Sequence, residues 1–168
     1  DADDGEVRFN ATPDFENPQD AGTDNVYDIT VTASDGTLST DRDVAITVSD
    51  VNVAPVFVSG TSGSIAENAA TSTVVYDAAA FDDGEDSGTL TYSLSGTDAA
   101  LFTIDADDGE VRFNASPDFE NPQDAGTDNV YDITVTASDG ALTTDRDVAI
   151  TVTDVNAAPV FASGASGS

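Results

Sequence analysis

Carboxylates are the dominant chemistry of this chain. Thirty-three acidic residues stand against four basic ones, Arg8, Arg42, Arg112 and Arg146, and histidine and cysteine are absent. The acids gather in short strings: IAEN at 65–68, AFDDGED at 80–86, PDFEN at 13–17 and 117–121, ASDG at 33–36 and 137–140, and DVN at 50–52 and 154–156. Dense oxygen donors without imidazole or thiolate suit a hard cation, and they select calcium over zinc. The same inventory speaks against catalysis, because the usual bases and nucleophiles are missing. A carboxylate pair can serve a glycosidase, but these acids sit in separate loops and no Trp is present to stack a sugar. The chain is therefore read as a non-enzyme. A net charge of −29 also opposes nucleic acid and anionic membrane as partners.

The elements that must position these strings are short strands. PDFENPQDAGTDN recurs unchanged at Pro13 and Pro117, an offset of 104 residues. At that offset residues 1–64 align with 105–168 and differ at seven positions only: 12/116, 37/141, 39/143, 49/153, 53/157, 58/162 and 61/165. The offset is too long for a solenoid unit and fits a tandem array of whole domains. The boundaries expected are residues 1–50 for the C-terminal part of one repeat, about three strands, 51–154 for a complete repeat, and 155–168 for the first strand of another.

Within the complete repeat, Tyr131, Ile133, Val135 and Ala137 alternate with polar residues, as do Val148, Ile150 and Val152, the period-two signature of a half-buried strand. Further strands are expected at 55–57 (resuming at 64–67), 72–78, 89–95, 101–104 and 109–114. Seven such strands predict an all-β, immunoglobulin-like seven-strand antiparallel sandwich. Tyr27, Tyr76, Tyr92 and Tyr131 fall at expected core positions. The sandwich would carry Glu67, Asp118, Glu120, Asp154 and Asn156 at one end and Asp82, Asp83, Asp86 and Asp139 at the other.

Local chemistry offers competing roles for some of these residues. Asp35 and Asp139 precede glycine and can be turn formers as well as ligands. The string DADDGE (1–6 and 105–110) lacks the spacing of a calcium loop and reads as an Asp-Gly hairpin turn. Asp124, Asp128 and Asn129 read as solvated loop residues.

The acidic strings, in their order, resemble the cadherin repeat in its bacterial cadherin-like form. IAEN stands where that family has a Glu after its first strand, PDFE where it has an LDRE-type motif, TASD where it has AxD, DVNAAPVF where it has the DxNDNxPxF junction, and AFDDGED near its paired-Asp loop. The resemblance implies calcium ions between consecutive repeats. It implies one site at the junction near Val51–Pro55, with Asp14, Glu16, Asp50 and Asn52 from one side and Asp82, Asp83 and Asp139 from the other. Glu67, Asp118, Glu120, Asp154 and Asn156 would form half of a second site. Asp35 is the first-copy equivalent of Asp139. Two departures, Val53-Ala54 and Ala157-Ala158 in place of the junction's second Asp and final Asn, imply fewer or weaker ions than the family's full set. Asp82-Asp83 lacks the usual intervening residue, and Asp86 is its candidate substitute.

These readings make the chain a calcium-rigidified extracellular structural or adhesion array, partnered by neighbouring repeats and, in homophilic or fibre assembly, by identical chains. Two alternatives are a carbohydrate- or partner-binding module of a secreted protein and a filament subunit that assembles by strand exchange.

Overall fold

The structure, a computed structural model, describes residues 5–82 and 90–159. They fall into two compact units, one within Asp1–Asn52 and the other comprising Val53–Asp82 and the residues from 90 onward.

The larger unit is built from nine strand segments: β3 (Val56–Phe57), β4 (Ser62–Ala66), β5 (Tyr76–Asp77), β6 (Ala80–Phe81), β7 (Thr91–Ser95), β8 (Phe102–Ile104), β9 (Glu110–Phe113), β10 (Val130–Ser138) and β11 (Thr143–Thr153). One sheet has the order β4-β11-β10-β7 and another β5-β9-β8, with β3 paired to β6. All pairings are antiparallel except β4 with β11, which is parallel. The first expected strand is interrupted as expected, into β3 and β4; the one expected over 72–78 is β5 alone, with β6 beyond it at Ala80–Phe81, and the remaining five are continuous. The strand expected over 72–78 is shorter than its apolar run, because Thr73 N–H turns back to Ala70 O.

Alternation decides which side chains meet. Tyr131, Ile133, Val135 and Ala137 of β10 and Val148, Ile150 and Val152 of β11 point inward and are almost wholly buried, with Phe57, Ile65, Tyr76, Tyr92, Phe102, Val111 and Phe113 against them. Phe102, Phe113 and Tyr131 meet in edge-on and tilted pairs 4.2–5.8 Å apart. The outward positions pair across strands: Thr134 Oγ1 donates to Asp147 at 2.8 Å and Thr136 Oγ1 to Asp145 at 2.6 Å. That hydrogen bonding explains how acids sit in mid-strand, where they are otherwise disfavoured. DADDGE at 105–110 forms the β8–β9 hairpin turn, with Gly109 at φ +75 and its N–H bonded to Asp105 O.

The smaller unit contains β1 (Val26–Ser34) and β2 (Ser39–Thr47), an antiparallel hairpin. Its register repeats that of β10 and β11 position by position, and Thr30 and Thr32 bond Asp43 and Asp41 as their counterparts do. A third strand was expected from GEVRFN at 5–10, but those residues form none. The same string in the larger unit is a strand because β5 and β8 flank it, and the smaller unit has no such neighbours among the described residues.

The inward face also differs. Val31 is 37% exposed where its counterpart Val135 is fully buried, and Tyr27, Ile29, Val44 and Ile46 are half-exposed. Phe9 still meets Tyr27 edge-on at 5.0 Å, but the face opens into a groove of about 670 Å³ lined by Val7, Phe9, Tyr27, Ile29 and Ile46 among others. The equivalent space in the larger unit is 350 Å³, narrowed by Ala100 and Leu101.

Identical residues should therefore differ in value. Ile150→Ala is expected to destabilise its unit by about 2–5 kcal/mol, as for a closed core site. Ile46→Ala, in the same register, should cost about 1 kcal/mol or less, because little apolar area is removed from water there. Urea midpoints of the two variants against the parent measure the difference.

Candidate metal centre

Glu67 follows β4 directly, and its side chain is buried, 6% exposed. Its backbone N–H extends the ladder to Thr153 O at 2.9 Å. Its carboxylate then accepts two further backbone donors, Val155 N–H at 2.9 Å on Oε1 and Phe119 N–H at 3.3 Å on Oε2. One side chain thereby ties the PDFE loop and the segment leaving β11 to the end of β4. Asn68, at φ +60, continues the stitching with its N–H on Pro117 O at 2.8 Å, and Ser116 Oγ donates to Ala69 O at 2.9 Å.

This scaffold brings Glu120 and Asp154, both exposed, to Glu67. Carboxylate oxygens of the three lie within 4.8 Å of one another. Oxygens bound to one calcium each stand about 2.3–2.6 Å from it, so oxygens on opposite sides of an ion are about 5 Å apart and the set can converge on one centre. Asp118 lies beside them and uses Oδ1 to accept Glu120 N–H at 3.1 Å. Asn156 is exposed and is not part of the converging trio.

The electrostatics are those of crowded anions. Backbone donation, from Val155 above all and then Phe119, holds the Glu67 carboxyl below the usual range despite its burial. Glu120 moves the other way. Its own backbone N–H is the largest single influence and favours the carboxylate, but the hydrogen bond with Glu67, desolvation and the charges of Glu67 and Asp154 together raise it. A cation among the three would relieve that repulsion, and the all-oxygen donor set fits calcium.

In the smaller unit, Asp14 accepts Asn17 N–H at 3.2 Å. The Glu16 carboxyl is again raised: its own backbone favours the carboxylate, while desolvation, a hydrogen bond with Asp14 and the charge of Asp50 prevail. The PDFE string thus has acidic company in both copies, but only the second copy has a buried glutamate beneath it among the described residues. Asn52 is half-buried.

Asp35 and Asp139 are turn formers in the structure. Asp35 Oδ1 caps Thr37 and Leu38 N–H at 2.9 and 2.8 Å, which lowers its carboxyl, Leu38 contributing most. Asp139 caps Ala141 and Leu142 likewise at 2.7 and 2.6 Å. Asp82 is half-buried, and Asp83 and Asp86 lie outside the described residues.

Asp124 and Asn129 correct the reading of solvated loop residues. They are 3% and 8% exposed. Asp124 accepts Asp128 and Asn129 N–H at 3.0 and 3.1 Å, while Asn129 Nδ2 holds Phe119 O at 3.0 Å. The loop thus anchors the PDFE backbone from beneath. Asp98, which carries no motif and goes unnoticed in the sequence, pins the same loop by accepting Ala125 N–H at 2.9 Å and Asp132 N–H at 2.8 Å. No local pattern marks it, since its partners lie 27 and 34 residues away.

A cadherin domain family model matches residues 61–153, which includes Glu67 and Glu120 and stops one residue before Asp154. No curated protein matches the chain. Among solved structures it is similar to mouse Cadherin-23 EC22-24, with TM-score 0.60 and 25% identity over 83% of this chain and 45% of that one. Protocadherin Gamma B7 extracellular cadherin domains 1-4 give TM-score 0.60 and 27% identity over 83% and 34%. Human Protocadherin-24 EC1-2 gives 0.52 and 27% over 61% and 44%. The chain spans less than half the length of each.

The opposed shifts of Glu67 and Glu120 predict opposite effects of neutralisation in metal-free protein. Glu67→Gln should lower the thermal midpoint at neutral pH. A carboxyl held below its unfolded value stabilises the fold above that value, and the contribution fades as pH falls through the folded one. Glu120→Gln should raise the midpoint at neutral pH, because a raised carboxyl opposes folding once ionised. Its advantage should vanish on acidification below the ordinary glutamate range near pH 4. Differential scanning calorimetry between pH 3 and 7 reads both.

Proposed function

The chain belongs to the cadherin family, and on that premise we propose that it serves as a calcium-rigidified segment of an extracellular structural or adhesion array. The convergence of Glu67, Glu120 and Asp154 carries the reading: a buried, backbone-clamped glutamate meets two exposed carboxylates at one point. Bound calcium would supply positive charge against that repulsion. Asp118 and Asn156 are proposed as further oxygen donors on the same rim, and Asp14, Glu16, Asp50 and Asn52 as the donor set of the smaller unit. Asp35, Asp82, Asp83, Asp86 and Asp139 are proposed to complete ligation where repeats are chained.

The mechanism is electrostatic and mechanical. Without a cation, Glu120 and Asp154 repel each other and Glu67, and the loops carrying them are pushed apart. With one, the PDFE loop and the segment after β11 are drawn to the end of β4, and a chain of such repeats stiffens. Near-identical repeats suit a spacer in which each unit does the same work. Partners of this reading are neighbouring repeats and identical chains, and its location is the cell surface or matrix. Among the described residues no helix is long and apolar enough to cross a membrane. The carbohydrate-binding alternative needs an exposed aromatic platform, and Tyr76, Tyr92 and Tyr131 are buried in the core of the larger unit.

Calcium titration tests the proposal. Sites of this class bind at about 10⁻⁴–10⁻³ M, so ~10 mM calcium should add about 1.4–2.7 kcal/mol to the larger unit by mass action and raise its thermal midpoint. Chelator should reverse the gain, and Asp154→Asn should remove most of it. A midpoint and a scattering profile that ignore both calcium and chelator would sink the reading.

A further inference from the structure

The exposed carboxylates of the candidate metal centre sit on two segments, Glu120 on the PDFE loop and Asp154 at the end of β11, and one buried residue holds both segments. Asn129 Nδ2 donates to Phe119 O at 3.0 Å, the carbonyl of the peptide unit that carries the Glu120 N–H. The Asn129 carbonyl accepts Val152 N–H at 2.9 Å, two residues before Asp154. Asn129 is itself fixed from beneath, with its N–H on Asp124 Oδ1 at 3.1 Å, and it is 8% exposed. Glu67 Oε2 accepts Phe119 N–H at 3.3 Å, so the Phe119 backbone is held at both of its polar groups.

The residue type follows from the backbone. Asn129 stands at φ +64, a left-handed conformation that glycine, asparagine and aspartate adopt most readily. Of the three, only asparagine carries a side-chain N–H. The amide is used on one side: its Oδ1 is buried with no hydrogen-bond partner among the described residues, which is unfavourable in itself. Asn25, the counterpart in the smaller unit, has the same orphan oxygen and a φ of +62. It makes the same bonds, Nδ2 to Phe15 O and Val48 N–H to Asn25 O, both at 2.9 Å. In both copies, therefore, the bond of the nitrogen decides how the side chain lies. The loops above differ in one respect. No buried glutamate holds Phe15 among the described residues, and Asp14 caps Asn17 N–H, where Asp118 caps Glu120 N–H. The tighter turn, with Glu120 beside Glu67, occurs where both holds are present.

We propose that Asn129 is a positioning residue of the candidate metal centre. It fixes the Phe119–Glu120 peptide and the end of β11 in one frame, and so sets where Glu120 and Asp154 stand relative to Glu67. It supplies no ligand atom itself. Its effect on ion binding rests on the calcium reading above, whereas its hold on the loop is measurable without any metal. The device suits a site whose two exposed carboxylates repel Glu67: an uncharged donor braces the loop without adding to the negative charge that the ion must balance.

Asn129→Gly tests it, because glycine accepts the same backbone and removes only the amide. In chelator, hydrogen exchange at the Phe119 amide should quicken about tenfold, the worth of one hydrogen bond, while Val155, on the other oxygen of Glu67, keeps its protection. Calcium titration followed at the amides of Glu120 and Asp154 should give an affinity about 10–100-fold weaker than the parent's, the usual effect of losing a group that orients a ligand. Ile133→Val, a core change on β10 that lowers the thermal midpoint, should leave both readings at the parent's values. Asn129→Asp, which tolerates the same backbone and lacks the donor, takes the place of the glycine variant should that variant not fold. The proposal is overturned if Phe119 exchanges at the parent's rate, if the affinity is unchanged, or if Ile133→Val weakens it as much. A parent that binds no calcium would end the function proposed above, and exchange at Phe119 in chelator would then decide alone whether Asn129 holds the loop.

Discussion

A hairpin with one apolar face is stable only when something covers that face, and this requirement governs the molecule. The chain tests it internally, because β1/β2 and β10/β11 share sequence and register. In the larger unit the face of Tyr131, Ile133, Val135 and Ile150 is closed by strands drawn from residues 56–113, and each of these side chains is at most 2% exposed. In the smaller unit the hairpin forms, its threonine–aspartate pairs form, and its turn forms, yet the face stays open. Local hydrogen bonding gives the two hairpins the same register, and what differs between them is the nonlocal burial that a stable hairpin needs.

The candidate metal centre depends on the same closure one step removed. Glu67 can accept from Val155 and Phe119 only because β4 lies alongside β11 and delivers it to the strand ends. With both carboxylate oxygens occupied by backbone donors, its charge is fixed in place and favoured, and Glu120 and Asp154 must accommodate it. The smaller unit shows the arrangement without that buried glutamate among the described residues: the charges of Asp50 and Asp14 both act against the Glu16 carboxylate. A twofold occurrence of one string therefore gives two electrostatic environments, set by what the fold places beneath it.

Much of this was legible in the residues. Period-two alternation marked β10 and β11 because each has one face in the core and one in water, and Asp-Gly marked the β8–β9 turn. Glu67, Glu120 and Asp154, whose carboxylates the fold brings together, are marked in the sequence as candidate donors by type and order. Less legible is the extent of the second strand, where the apolar run STVVYDA does not reveal which residues find a ladder partner. The strand at 5–10 was misread for the same reason: GEVRFN is a strand only where β5 and β8 accept it. Asp98 carries no local mark because its N–H donors lie 27 and 34 residues away, and the burial of Asp124 and Asn129 beneath the PDFE loop depends on packing that their polar composition does not show.

Backbone donors explain why these buried acids are tolerated in a chain with so large an excess of negative charge. Asp98 and Asp124 each receive two backbone N–H groups, and Glu67 receives two. Arginine partners are scarce, with Arg112 held by Glu110 and Arg146 committed to carbonyls. Satisfying buried carboxylates with amides rather than cations is the only route open to a chain with four basic residues, and it has a structural consequence. Glu67 and Asp98 thereby become braces between segments, because their donors lie far along the chain, while Asp124 folds its own loop. Glu120 and Asp154, both exposed, collect where the braced loops meet. The site is thus the residue of a charge balance the backbone could not complete, and its chemistry follows from that deficit.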